Sequence, residues 1–96
     1  MLVLITYDVN TETPEGRKRL RHISKICVNH GQRVQNSVFE CKLDMAMLIK
    51  LRSMLEREMN KDKDSLRIYH LGNDWHGKIE HIGAKETYDP DKPFIV

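Results

Sequence analysis

Cysteine is scarce in this chain of 96 residues, which carries two. That count excludes the dense disulfide framework of small secreted domains. Cys27 and Cys41 each fall among apolar residues of periodic segments, the pattern of free, buried thiols. Long hydrophobic runs are also missing. The longest, Met1 to Ile5, is far short of the ~20 residues a membrane-crossing helix needs, so no membrane role is expected. Neither a basic leader nor a small-residue cleavage site accompanies it, and the opening reads as structure in a cytoplasmic protein. Five glycines and three prolines exclude collagen-like and low-complexity classes. There is no phosphate-cradling Walker loop, dinucleotide glycine pattern or nucleophile elbow. His22, His30, His70, His76 and His81 follow no zinc-ligand spacing.

What is present is one domain's worth of chain, 11.3 kDa, 40% hydrophobic and 31% charged, read as a single unit over residues 1–96. The net charge of +2 conceals an asymmetry: residues 1–52 hold nine Lys/Arg against five Asp/Glu, and residues 53–96 hold seven against nine. A basic half of this kind suits a polyanionic partner, although it also suits a merely solvated surface.

Leu2 to Val9 is almost continuously apolar and rich in β-favouring types, which predicts a central strand covered on both faces. Thr13-Pro14-Glu15 then offers a capping hydroxyl, a proline suited to the first helical position and an acid at the positive helix end. In the helix that follows, Leu20, Ile23 and Cys27 share one face, Lys18, Arg21, His22 and Lys25 the other, and Gly31 offers a left-handed stop. Phe39, Cys41 and Leu43 alternate with polar neighbours as in a half-buried strand, while Val34 sits off that register, so a bulge or turn is expected near Gln35-Asn36. Asp44 can cap a second helix with the stripe Met47, Leu48, Leu51, Met54, Leu55 and Met59. Ser65 to Leu71 alternates again, Gly72-Asn73-Asp74 is turn chemistry, and Lys78 to Gly83 reads as a short final strand before an extended tail.

Strand, helix, broken strand pair, helix, strand is the order of an α+β, ferredoxin-like β-α-β-β-α-β sandwich with both helices on one face. The other face is left without a cover. No third helix is available, and a homodimer is the economical answer. Residues 79–96, the extra strand and tail, would then exchange between protomers.

Asp8 is the residue of most chemical interest, because it is a charge that ends an apolar strand and precedes a strand-to-helix loop. It can close an Asx turn or an ion pair. It can also hold Mg²⁺, which takes one or two carboxylates and completes its shell with water and phosphate, provided a dimer brings two copies together. Arg17, Lys18, Arg19, Arg21 and Lys25 place five cations within nine residues with no acid between them, and Arg33 follows. Such a run is either a solvated helix face or a phosphate-contacting one.

Thr6-Tyr7-Asp8-Val9, Arg17 and Arg19, Gly31-Gln32-Arg33-Val34-Gln35-Asn36-Ser37-Val38-Phe39 and Asp64 to Tyr69 together resemble the CRISPR-associated Cas-two family over nearly the whole chain. Gly16-Arg17-Lys18-Arg19-Leu20-Arg21 and Val38-Phe39-Glu40-Cys41 are most similar to its type I-C branch. The resemblance implies a ferredoxin-like homodimer whose last strand crosses to the partner's sheet, and which works with the Cas-one integrase when new spacers are inserted. It further implies a metal-dependent endonuclease acting on RNA or DNA, with Asp8 as the catalytic metal-binding aspartate. Arg17, Arg19 and Arg33 match the family's basic residues, and Ser37 and Phe39 match its strand motif beside Tyr7. Some members of the family serve instead as non-catalytic scaffolds that bind duplex DNA in the integration complex. Nucleic acid would be contacted by the cations Arg17, Lys18, Arg19, Arg21, Lys25 and Arg33, to which the resemblance adds Ser37.

Overall fold

The N-terminal apolar run becomes the strand on which the sheet is built. In a computed structural model describing residues 1–83, β1 (Leu2–Asp8) is followed by α1 (Pro14–His30), β2 (Gln32–Gln35), β3 (Val38–Lys42), α2 (Met45–Glu58), β4 (Ser65–Gly72) and a single 3₁₀ turn at His76–Lys78. The four strands lie in the order β2-β3-β1-β4, and each neighbouring pair is antiparallel. This is the ferredoxin-like arrangement, with β1 central and β2 and β4 at the edges.

Register decides which side chains share a face. Val3 lies opposite Cys41 and His70, Ile5 opposite Phe39 and Ile68, and Tyr7 opposite Leu66. Directly paired residues point to the same side of a sheet, so these positions form the face that carries the helices. There they pack with Ile23, Cys27, Leu48, Leu51 and Leu55 in one buried cluster. The second face presents Leu4, Thr6 and Asp8 from β1, Val38 from β3, and Ser65, Arg67 and Tyr69 from β4. Its Leu2 end is covered, Leu2 being fully buried, and it opens toward Asp8: Leu4 and Thr6 stay partly accessible, and Tyr69 is exposed.

Both helices start where capping chemistry puts them. The Thr13 hydroxyl accepts from the Gly16 amide at 3.1 Å ahead of Pro14, and Asp44 Oδ1 accepts from the Met47 amide at 2.8 Å. The register shift between Arg33 and Gln35 is the expected break between β2 and β3.

Two expectations need correction. Gly31 is extended (φ −165°, ψ −165°), so it is no left-handed stop. What it supplies is room, since a Cβ there would stand 2.4 Å from Cys41 Sγ and 2.5 Å from the Glu40 carbonyl oxygen. Gly31→Ala must displace β3 and should cost about 1–3 kcal/mol in urea unfolding; an unchanged midpoint would show that the strand yields freely. Met47 lies outside the α2 stripe and is 46% exposed. Within one protomer Lys78 to Gly83 forms no strand, and the expected exchange of residues 79–96 concerns a second copy. Lys78 closes the 3₁₀ turn, its Nζ donating to the Leu71 carbonyl at 2.9 Å and its amide to the Trp75 carbonyl at 2.9 Å, which holds the chain against the end of β4. The expected tail beyond Gly83 lies outside the described residues.

Candidate metal and nucleic-acid site

Asp8 closes β1 on the face opposite the core. It pairs in register with Ser65 and is exposed, and among the described residues no cation or hydrogen-bond donor engages its carboxylate. Thr6 and Arg67 form the next pair along, and the Arg67 guanidinium stands 5.5 Å from the Tyr69 ring centroid. Arg67 was missed from sequence. Its alternation with Leu66 and Ile68 would have placed it on the same face as Ser65.

Beneath this face, Tyr7 and Phe39 are buried structural supports. Their rings stack with centroids 6.1 Å apart, and the Tyr7 hydroxyl meets Ser24 Oγ at 2.7 Å. Ser37 contributes its main-chain oxygen, which accepts from the Tyr7 amide at 3.2 Å. These contacts hold the third-from-last position of the Thr6-Tyr7-Asp8-Val9 motif and leave Asp8 to solvent.

The cations do not form one cluster. Lys18, Arg21 and Lys25 are exposed on the outside of α1, while α1 itself packs on the core side of the sheet. They therefore stand on the opposite side of the protomer from the face that bears Asp8. Arg17 Nη1 donates to the Thr11 carbonyl at 3.2 Å in the loop after β1. Arg33 sits on the β2 edge with its guanidinium 5.1 Å from the Phe39 ring centroid. His22 leaves the basic set by pairing with Glu58 of α2.

Arg19 departs most from its expected role as a phosphate contact. Its Nε and Nη2 donate to Asp64 Oδ2 and Oδ1 at 2.8 and 3.2 Å, and the Asp64 side chain is only 1% exposed. The Arg19 hydrogen bond, reinforced by the amides of Asn60 and Asn10, holds the Asp64 carboxyl below the usual carboxylate range. A group with a depressed folded pKa stabilises the fold at pH above its unfolded value of about 3.9, and that contribution is lost as pH falls through the lower folded value. Asp64→Asn should therefore be less stable at pH 7 and lose less stability on acidification from pH 5 to pH 2, read from urea midpoints. Parallel midpoint curves for the two proteins would contradict this role.

The two thiols offer no nucleophile. Cys27 and Cys41 are free and buried, and burial pushes each up to about 12, leaving them protonated at neutral pH. Among the described residues there is also no group of three or more His, Cys, Asp or Glu that could hold a metal ion. Among the described residues, Asp8 is thus an unengaged carboxylate at the open rim of the sheet face away from the helices.

This geometry has known counterparts. Residues 1–79 match the family described as "CRISPR associated protein Cas2". The chain belongs to the Cas2 family. It is 60% identical over 96 residues to the "CRISPR-associated endoribonuclease Cas2" of Chlorobaculum tepidum, covering the whole of both chains. It is 56% identical over 95 residues to the "CRISPR-associated endonuclease Cas2" of Halalkalibacterium halodurans, covering 99% of each. The crystal structure of Streptococcus pyogenes Cas2 superposes with a TM-score of 0.75 at 53% identity, spanning 86% of this chain and 100% of that one. Cas2 relatives thus share the fold and nearly the full length. No helix among the described residues is long and apolar enough to cross a membrane.

Proposed function

We propose that this chain is a Mg²⁺-dependent endonuclease that hydrolyses phosphodiester bonds of RNA or DNA, acting as a homodimer in which the two Asp8 carboxylates hold the metal. The observation that carries this reading is the place of Asp8: exposed, unengaged among the described residues and at the end of the central strand, where the sheet face away from the helices is open. The relatives' names, endoribonuclease and endonuclease, support the reaction class. A single carboxylate is too few ligands alone, but two across a dimer axis suit Mg²⁺, which keeps several positions for water and phosphate. When bound, the ion would offset negative charge gathering on the phosphate under attack. Asp8 would serve as its ligand, Arg17 and Arg33 would meet the nucleic-acid backbone, and Tyr7 with Phe39 would fix the end of the strand.

Incubating the protein with single- and double-stranded RNA and DNA, with Mg²⁺ or with a chelator, tests the reading. Cleavage of at least one substrate should appear only with the ion, and chelator-insensitive cleavage would contradict it. Light scattering should report about twice 11.3 kDa. Deleting residues 79–96 should weaken the dimer if they lend an edge strand to the partner; a monomer at tens of micromolar would remove the shared site.

A second reading is favoured by one observation, that Lys18, Arg21 and Lys25 lie on the side of the protomer away from Asp8. Duplex bound there would not reach the carboxylate. It fits a scaffold that holds duplex DNA for the Cas-one integrase during spacer insertion. Membership of the type I-C branch, suggested by the Gly16 to Arg21 and Val38 to Cys41 segments, is part of the same proposal.

A further inference from the structure

We propose that Asp64 and Arg19 are positioning residues for Asp8: their ion pair fixes the turn after β1 and with it the direction in which the Asp8 carboxylate leaves the sheet. The inference rests on the reading of Asp8 as the metal ligand. It starts from four hydrogen bonds. Asp64 Oδ1 accepts from the Asn10 amide at 3.0 Å and from Arg19 Nη2 at 3.2 Å, and Oδ2 accepts from Arg19 Nε at 2.8 Å and from the Asn60 amide at 2.9 Å. An ionised carboxylate has about four lone-pair sites, so Asp64 is fully used and cannot itself serve as a second metal ligand.

The partners are what make the pair more than a generic buried contact. Asn10 is two residues beyond Asp8, and Ser65, which follows Asp64, is the residue paired with Asp8 across β1 and β4. Asp64 therefore ties the chain just after Asp8 to the strand directly beside it. Asn10 is held from two further sides. Its Oδ1 accepts from the Glu12 amide at 3.0 Å, and Gly16 packs so closely that a Cβ there would stand 1.9 Å from the Asn10 carbonyl oxygen. A loop leading into a helix is thus pinned at Asn10, two residues past the strand end that bears Asp8. Groups behind a metal ligand that fix its orientation typically change metal affinity about 10–100-fold when replaced.

The test compares wild type with Asp8→Asn, Asp64→Asn, Arg19→Lys and the core variant Leu51→Ala, which lowers stability far from the turn. Mn²⁺ serves as the probe, read by paramagnetic broadening of the Asp8 amide signal alongside cleavage against metal concentration. Asp64→Asn should need at least ~10-fold more Mn²⁺ for half-broadening and for half-maximal cleavage. Its Asn10 amide should lose protection from hydrogen exchange, and its duplex affinity should stay within about twofold. Leu51→Ala should keep the wild-type Mn²⁺ requirement, separating position from general stability. If Asp64→Asn fails to fold, Arg19→Lys, which keeps the charge but not the two-donor fork, decides with an expected loss of several-fold. A requirement within twofold of wild type in the deciding variant overturns the positioning role. Unchanged broadening and cleavage in Asp8→Asn would instead overturn the metal reading beneath it, so the two failures are distinguishable.

Discussion

Replacing Asp8 by Asn should abolish divalent-dependent cleavage while leaving duplex binding and folding essentially intact. The substitution keeps the size of the side chain and removes its charge at a site where no other described residue engages the carboxylate, so no buried partner is orphaned and stability should shift by less than about 0.5 kcal/mol. Loss of a metal ligand, by contrast, removes the charge stabilisation a phosphodiester displacement relies on, and activity should fall by several orders of magnitude. Single-turnover cleavage at saturating enzyme, paired with thermal melts and duplex titrations, separates the two effects. Residual cleavage within tenfold of wild type would move the chemistry away from Asp8. An integration defect in Asp8→Asn, with folding and duplex affinity kept, would sink the pure scaffold account.

The second large effect belongs to the outside of α1. Changing Lys18, Arg21 and Lys25 together to Ala should flatten the log-log salt dependence of duplex binding by up to roughly 3 units, at about 0.9 per lost phosphate contact. All three are exposed, and alanine favours helix, so the fold should be unaffected. If duplex held by this face is what the Cas-one integrase needs, the triple variant loses spacer integration while cleavage of a short single strand persists. An unchanged salt slope would show that the α1 cations are only solvated and that nucleic acid is met elsewhere, with Arg17, Arg33 and Arg67 the next residues to change.

The placements that were legible in sequence are those a local pattern carries. Asp8 stands out because it is the charge at the end of an apolar strand, and Lys18, Arg21 and Lys25 because helical spacing alone sets them against Ile23 and Cys27. Thr13 and Asp44 announce helix starts through capping chemistry that acts over three residues. Arg19 carries no such signal. In the run Arg17-Lys18-Arg19 it looks like its neighbours, and only the return of the chain 45 residues later brings Asp64 beneath it. Asp64 was equally hidden, since a buried carboxylate and a solvated one have the same local sequence. Gly31 shows a different limit: a glycine at a helix end signals that a side chain is unwelcome, and only the packing of Cys41 and Glu40 against it shows that the cause is space. After β4, the Lys78 bond to Leu71 and the burial of Trp75 shape a turn over His76–Lys78 that no local sequence pattern announced.

The central claim is that one chain supplies half of a metal site and a second copy the other half, and mixed dimers test it most directly. Wild type and Asp8→Asn, refolded together in equal amounts at constant total protein, should form dimers with both carboxylates in about a quarter of cases. If both are needed, divalent-dependent cleavage falls to about a quarter of the wild-type rate. A fall to only about one half would mean that each protomer works with its own Asp8, and the shared site would be wrong.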